Sequence, residues 1–131
     1  MSETRTFVCV ACPIGCPLLL THEGREVIEI QGNACDRGAK YARQEFTDPR
    51  RALSTTVAIA GARWPRLPVK ATRPIPKARV REAARLLHAL RVEAPVERGR
   101  VLVRDLLGEP GNDVVACRGM GRVVRPEAPR R

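Results

Sequence analysis

Aromatic residues are scarce in this chain of 131 residues: they make up 3% of it, with one Trp, one Tyr and two Phe. An apolar core must therefore rest on Val, Leu, Ile and Ala, and the aromatic stacking pattern of a nucleic-acid reader is missing. Lysine is nearly absent too, at three residues against twenty-one arginines. The net charge of +10 is spread along the chain instead of clustering, and no zinc-finger or helix-turn-helix pattern accompanies it, which argues against nucleic acid as partner. No apolar run approaches about 18 residues, and no charged leader with an apolar core precedes residue 9, so a cytoplasmic protein without membrane insertion is expected. Paired catalytic carboxylates, a Gly-rich phosphate loop and a Cys/His dyad are all missing, which leaves no constellation for independent catalysis.

Cysteine is what the chain has. Cys9, Cys12, Cys16 and Cys35 form a C-x2-C-x3-C-x18-C array in the first 35 residues of the sequence. Pro13, Gly15 and Pro17 turn the chain between and after the first three thiols, so that they can converge on one centre. Three chemistries are open: an iron–sulfur cluster, structural zinc or a metal-free dithiol. A zinc ribbon brings two matched C-x2-C knuckles, and Cys35 has no nearby partner to make the second. A 4Fe-4S cluster is wider than a single ion, and three ligands on one loop plus a distant fourth suit its corners. In a reducing compartment thiols favour metal over disulfides.

The organisation expected around the array is α+β. Residues 5–8 read as a strand, residues 17–22 and 26–31 as a hairpin about Glu23-Gly24 that carries Cys35 back to the first three thiols, and residues 38–46 as a helix stopped by Asp48-Pro49. Residues 53–60 read as β, while Pro65 and Pro68 demote 63–70 to an edge or extended segment. Residues 72–76 resemble a linker. Val80, Ala83, Ala84, Leu87 and Leu90 recur at helical spacing over 77–90, and 101–107 and 113–117 read as further strands. The domain boundaries expected are 1–70 for a cysteine-rich cluster lobe, 71–124 for an α+β docking lobe and 125–131 for a disordered basic tail.

The cysteine pattern, a hairpin with glycine at its tip, then C-D-R-G and F-T-D-P-R, resembles the N-terminal 4Fe-4S domain of molybdopterin-dependent oxidoreductases over residues 7–53. The chain is too short to carry the pterin cofactor as well. In those enzymes the basic residue two positions after the fourth cysteine lies between the cluster and the next cofactor, and Arg37 matches it; the alternative is a solvated arginine in a first helical turn. Over nearly its whole length the sequence resembles a small family of CxxC-motif-containing proteins that accompany FAD-dependent glycerol-3-phosphate dehydrogenases and a pyridine-nucleotide-linked flavoprotein. The segments L67-P-V-K-A-T-R-P-I-P-K77, V92-E-A-P-V96 and V114-V-A-C-R118 carry that similarity. The resemblance implies an electron-transfer accessory protein with a 4Fe-4S cluster, zinc being the alternative cofactor. It implies a flavoprotein as partner, against the alternative of a zinc-stabilised module that bridges proteins or touches nucleic acid. Cys117 and the Arg-rich end beyond Met120 depart from the family pattern.

The remaining candidates have plainer readings. His22 is an ordinary strand-end residue, since four cysteines complete a site without it. His88 is a surface residue of its helix. Cys117, in a V-V-A-C run, is a small buried hydrophobe. Gly38 lets the chain pass close to the cluster.

Overall fold

In the computed structural model, residues 1–124 are described, and the expected tail at 125–131 lies outside them. The chain is α+β and divides into two units, Met1–Arg50 and Arg51–Arg131.

The first unit begins with β1 (Glu3–Val8), β2 (Pro17–Glu23) and β3 (Glu26–Gln31), an antiparallel meander in that order. Strict alternation decides which face of β2 is covered: Leu18, Leu20 and His22 are buried, and their neighbours point outward. The register runs from Glu3 opposite His22 to Val8 opposite Pro17, so β1 ends where the cysteine loop begins. Helix α1 (Asp36–Thr47) contributes Ala42 to the covered face, and Phe7, Val27, Ile30, Tyr41 and Phe46 pack around it. Only Cys9, Leu18, Leu20 and Ala42 form the buried apolar centre. About fifty residues with so few buried side chains are marginal without a further stabiliser.

After β4 (Arg50–Arg51), the second unit is built on a five-stranded sheet in which β5 (Ser54–Ala60), β6 (Arg66–Ala71), β8 (Arg91–Glu93), β9 (Val101–Val103) and β10 (Val114–Ala116) take the order β8-β5-β6-β10-β9. Strand β7 (Ile75–Pro76) leads through a 3-10 turn into α2 (Val80–Ala89), which turns Ala83 and Leu87 into a core with Val57, Leu67, Val69, Ile75 and Val114. His88 is exposed on α2, as its position in the helical repeat implies.

Four expectations change. The boundary lies at residue 50, not 70, because β5 and β6 form an antiparallel pair inside the second sheet. Strand β6 is central, not an edge. Pro68 is tolerated because its missing N–H falls on the β10 side, where the ladder ends and the Pro68 carbonyl accepts the Cys117 N–H at 2.9 Å. The expected linker at 72–76 is tied into the core instead: Ile75 is fully buried, and Arg73 N–H donates to the buried Asn112 Oδ1 at 3.0 Å. The strand expected over 101–107 stops at Val103, because Asp105 and Leu107 adopt left-handed backbone (φ 49° and 58°) and turn Leu106 inward.

Candidate metal centre

The cysteine loop is closed at its neck. Beyond the last β1–β2 pair, the Cys9 N–H donates to the Cys16 carbonyl at 2.8 Å, so these two cysteines extend the ladder as facing residues and Cys12 lies on the loop between them. Gly15, at φ 70°, makes the left-handed turn that brings the chain back.

The β2–β3 hairpin then returns the chain to the same place. At its end Gly32, with φ 90°, crosses so close to Pro17 that a Cβ would stand 2.2 Å from the Pro17 carbonyl oxygen. No side chain fits there, and the crossing delivers Ala34 and Cys35 beside Cys16. Cys35 is the N-cap of α1, which begins two residues earlier than the periodicity predicts. Gly38 is required by packing: a Cβ on it would approach Asn33 Cβ to 2.9 Å and Leu18 Cδ2 to 3.3 Å. The close approach read from the sequence is therefore to Asn33 and Leu18, although Gly38 also borders the site.

All four cysteines line one cavity of about 180 Å³, together with Ile14, Arg37 and Gly38. Cys9 is buried, Cys12 and Cys16 are half-buried and Cys35 is exposed; none is in a disulfide. Among the described residues no carboxylate or imidazole borders the cavity, so the donors they offer are soft thiols, the set that suits an iron–sulfur cluster or zinc. Among the described residues no three His, Cys, Asp or Glu side chains are gathered tightly enough to hold a single metal ion. A lone zinc needs its sulfurs at about 2.3 Å from one point, whereas a cluster offers a separate iron to each thiolate.

Arg37 governs the electrostatics. The Cys35 thiol is held below the ordinary thiol range, first by the Arg37 side chain and then by the backbone N–H groups of Arg37 and Gly38. The sulfur makes no full capping hydrogen bond, and the Gly38 N–H donates to the Cys35 carbonyl at 3.1 Å; the attraction comes from donors and charge nearby. Reciprocally, Arg37 is held still more firmly protonated, by Cys35 foremost and also by Cys12 and Cys9. One exposed guanidinium thus senses three of the four thiols.

His22 does not border the cavity. It is 7% exposed, with Nδ1 3.0 Å from the Gly24 carbonyl and its ring 4.5 Å from that of Phe46, so it is a core-facing residue near the end of β2. Cys117 lies in the second unit just past β10 and is half-buried, less enclosed than the sequence suggests. The sequence reading did not single out the apolar rim of the ligand loop: Val8, Val10 and Ile14 are 59%, 69% and 78% exposed, and of the three Ile14 borders the cavity. Their alternation with the cysteines, in a loop without one polar side chain, is the signal that could have found it.

Among described residues, no helix is long and apolar enough to cross a membrane. No curated protein matches the chain. A Clostridium perfringens protein, CPE0013, solved by NMR, shares the fold with a TM-score of 0.51 at 16% identity, over 63% of this chain and 96% of that one. The model of a family described as "Protein of unknown function (DUF1667)" matches residues 36–118, well over half of the sequence, and the chain belongs to that family.

Proposed function

We propose that the chain is a cytoplasmic electron-transfer accessory protein that holds a 4Fe-4S cluster on Cys9, Cys12, Cys16 and Cys35 and serves a flavin-dependent dehydrogenase. The observation that carries this reading is the single cavity bordered by all four thiols and Arg37. When bound, such a cluster supplies one-electron chemistry without a substrate pocket of its own.

The protein's own residues do the rest. The four thiolates anchor the centre and tie the two ends of a small core together, coupling its folding to metal binding. Arg37 sets a fixed positive charge beside a group of net negative charge, which favours the reduced state. Ile14 offers apolar contact at the cavity, and the net charge of +10 attracts an acidic partner. The glycerol-3-phosphate dehydrogenase type is the partner suggested by the whole-length resemblance to the CxxC-motif-containing proteins.

The experiment is single-turnover mixing of the reduced, reconstituted protein with the flavoprotein encoded beside it, following flavin absorbance. Flavin reduction that stops when Cys12 is replaced by Ser supports the proposal. A flavin that stays oxidised on mixing with the reduced wild-type protein, or that the Cys12→Ser protein reduces at the same rate, defeats it.

A further inference from the structure

The second unit contains a groove of about 250 Å³ whose chemistry has nothing to do with the cysteines. Arg63, Trp64, Arg118, Gly119, Gly121 and Arg122 line it, and among the described residues no acidic side chain does. One wall is the β5–β6 connection, the other the segment after β10. Val123 N–H donates to the Gly61 carbonyl at 2.7 Å, and Met120 and Val96 exchange backbone hydrogen bonds at 2.8 and 2.9 Å, so both walls are pinned.

Trp64 is the chain's only tryptophan, and half of it is exposed. Its ring faces a cation, with the Arg63 guanidinium carbon 5.2 Å from the centroid. A large exposed aromatic beside three arginines offers two kinds of recognition at once: a flat surface for a planar ring and forked donors for phosphate oxygens. Gly121 adds room, since a Cβ on it would meet nothing within 4 Å.

We propose that this groove binds a single nucleotide, its base stacked on Trp64 and its phosphates held by Arg118 and Arg122 with Arg63 beside them. Surfaces that track a nucleic-acid strand stack successive bases on several aromatics. Here there is one platform, and the second unit has no other aromatic residue among its described residues. At about 250 Å³ the groove lies below the roughly 300 Å³ at which enclosed ligand pockets begin, so it covers part of one nucleotide and leaves the rest in solvent. The proposal stands independently of the cluster reading.

The lone tryptophan makes its own reporter. Titrating the full-length protein with ADP quenches Trp64 fluorescence saturably, while adenosine and inorganic pyrophosphate each bind at least about tenfold more weakly. By calorimetry, Trp64→Ala and the double variant Arg118→Ala/Arg122→Ala each lose about tenfold or more in ADP affinity. Gly121→Phe fills the groove and abolishes binding while circular dichroism stays unchanged. The proposal is overturned by ADP that produces no saturable change, by adenosine or pyrophosphate that binds as tightly as ADP, or by undiminished binding to Gly121→Phe. It is overturned equally by an oligothymidylate that outcompetes ADP with an affinity rising with length, the mark of a strand-binding site.

Discussion

The Cys9 N–H and the Cys16 carbonyl, 2.8 Å apart, tie the first and third thiols of the array into facing positions at the neck of one loop. This bond converts a spacing into a geometry. Two thiols are fixed by the strand ladder, one rides the loop between them, and the fourth arrives as the N-cap of α1.

Replacing any one of Cys9, Cys12, Cys16 or Cys35 by Ser is expected to strip most of the bound metal and lower the unfolding temperature of the first unit, because folding and metal binding are coupled there. Cys117→Ser is expected to leave metal content at the wild-type level. Elemental analysis alongside thermal unfolding checks both, and metal lost from the Cys117 variant would show that the ligand set is wrong.

Gly32→Ala is expected to destabilise the first unit by about 3 kcal/mol or more, since the new methyl meets the Pro17 carbonyl and the backbone sits at φ 90°. Gly24→Ala, at φ 59° with nothing within 4 Å, is expected to cost only about 1 kcal/mol. Denaturant titration of the two variants separates steric conflict from backbone strain; equal losses would mean that the Gly32 crossing relaxes freely.

Much of the first unit was legible because local signals there agree. The cysteine spacing, the Glu23-Gly24 turn and the apolar runs on either side of it all describe one meander returning to one point. Arg37 was singled out by resemblance, two residues past Cys35, and it borders the cavity. The second unit was harder to read because its tertiary contacts override local propensity. Pro68 reads as an edge signal, yet the fold accommodates it by placing its missing N–H at the end of the β10 ladder. The left-handed backbone at Asp105 and Leu107 has no glycine to announce it, and Ile75 sits in a proline-rich stretch that resembles a linker until its burial is seen.

In the metal-free protein, Arg37→Ala is expected to raise the pH at which Cys35 becomes reactive, because the largest influence holding that thiol below its ordinary range is the Arg37 side chain. A depressed thiol contributes to folding above its unfolded pKa of about 8.5 and loses that contribution as pH falls through the folded value. Alkylation rates of Cys35 against pH, read by mass spectrometry in both proteins, test this; superimposable profiles would remove Arg37 from the account. In the reconstituted protein the same variant is expected to keep its metal while its reduction potential falls, on the order of tens of millivolts.

Ile14→Asp is expected to leave metal content unchanged and to weaken association with the neighbouring flavoprotein about tenfold, since a charge would replace the most exposed apolar side chain of the rim. Raising the salt should weaken the wild-type complex as well, exposed charges being screened over about 8 Å at physiological ionic strength. Surface plasmon resonance at two salt concentrations reads both effects, and binding indifferent to both changes would place the contact elsewhere.

The most direct test of the central claim is the iron, acid-labile sulfide and zinc content of the anaerobically purified or reconstituted protein. The account expects a brown protein with about four iron and four sulfide per chain and a broad absorption near roughly 400 nm that bleaches with dithionite. A colourless protein with one zinc per chain and no sulfide would contradict it.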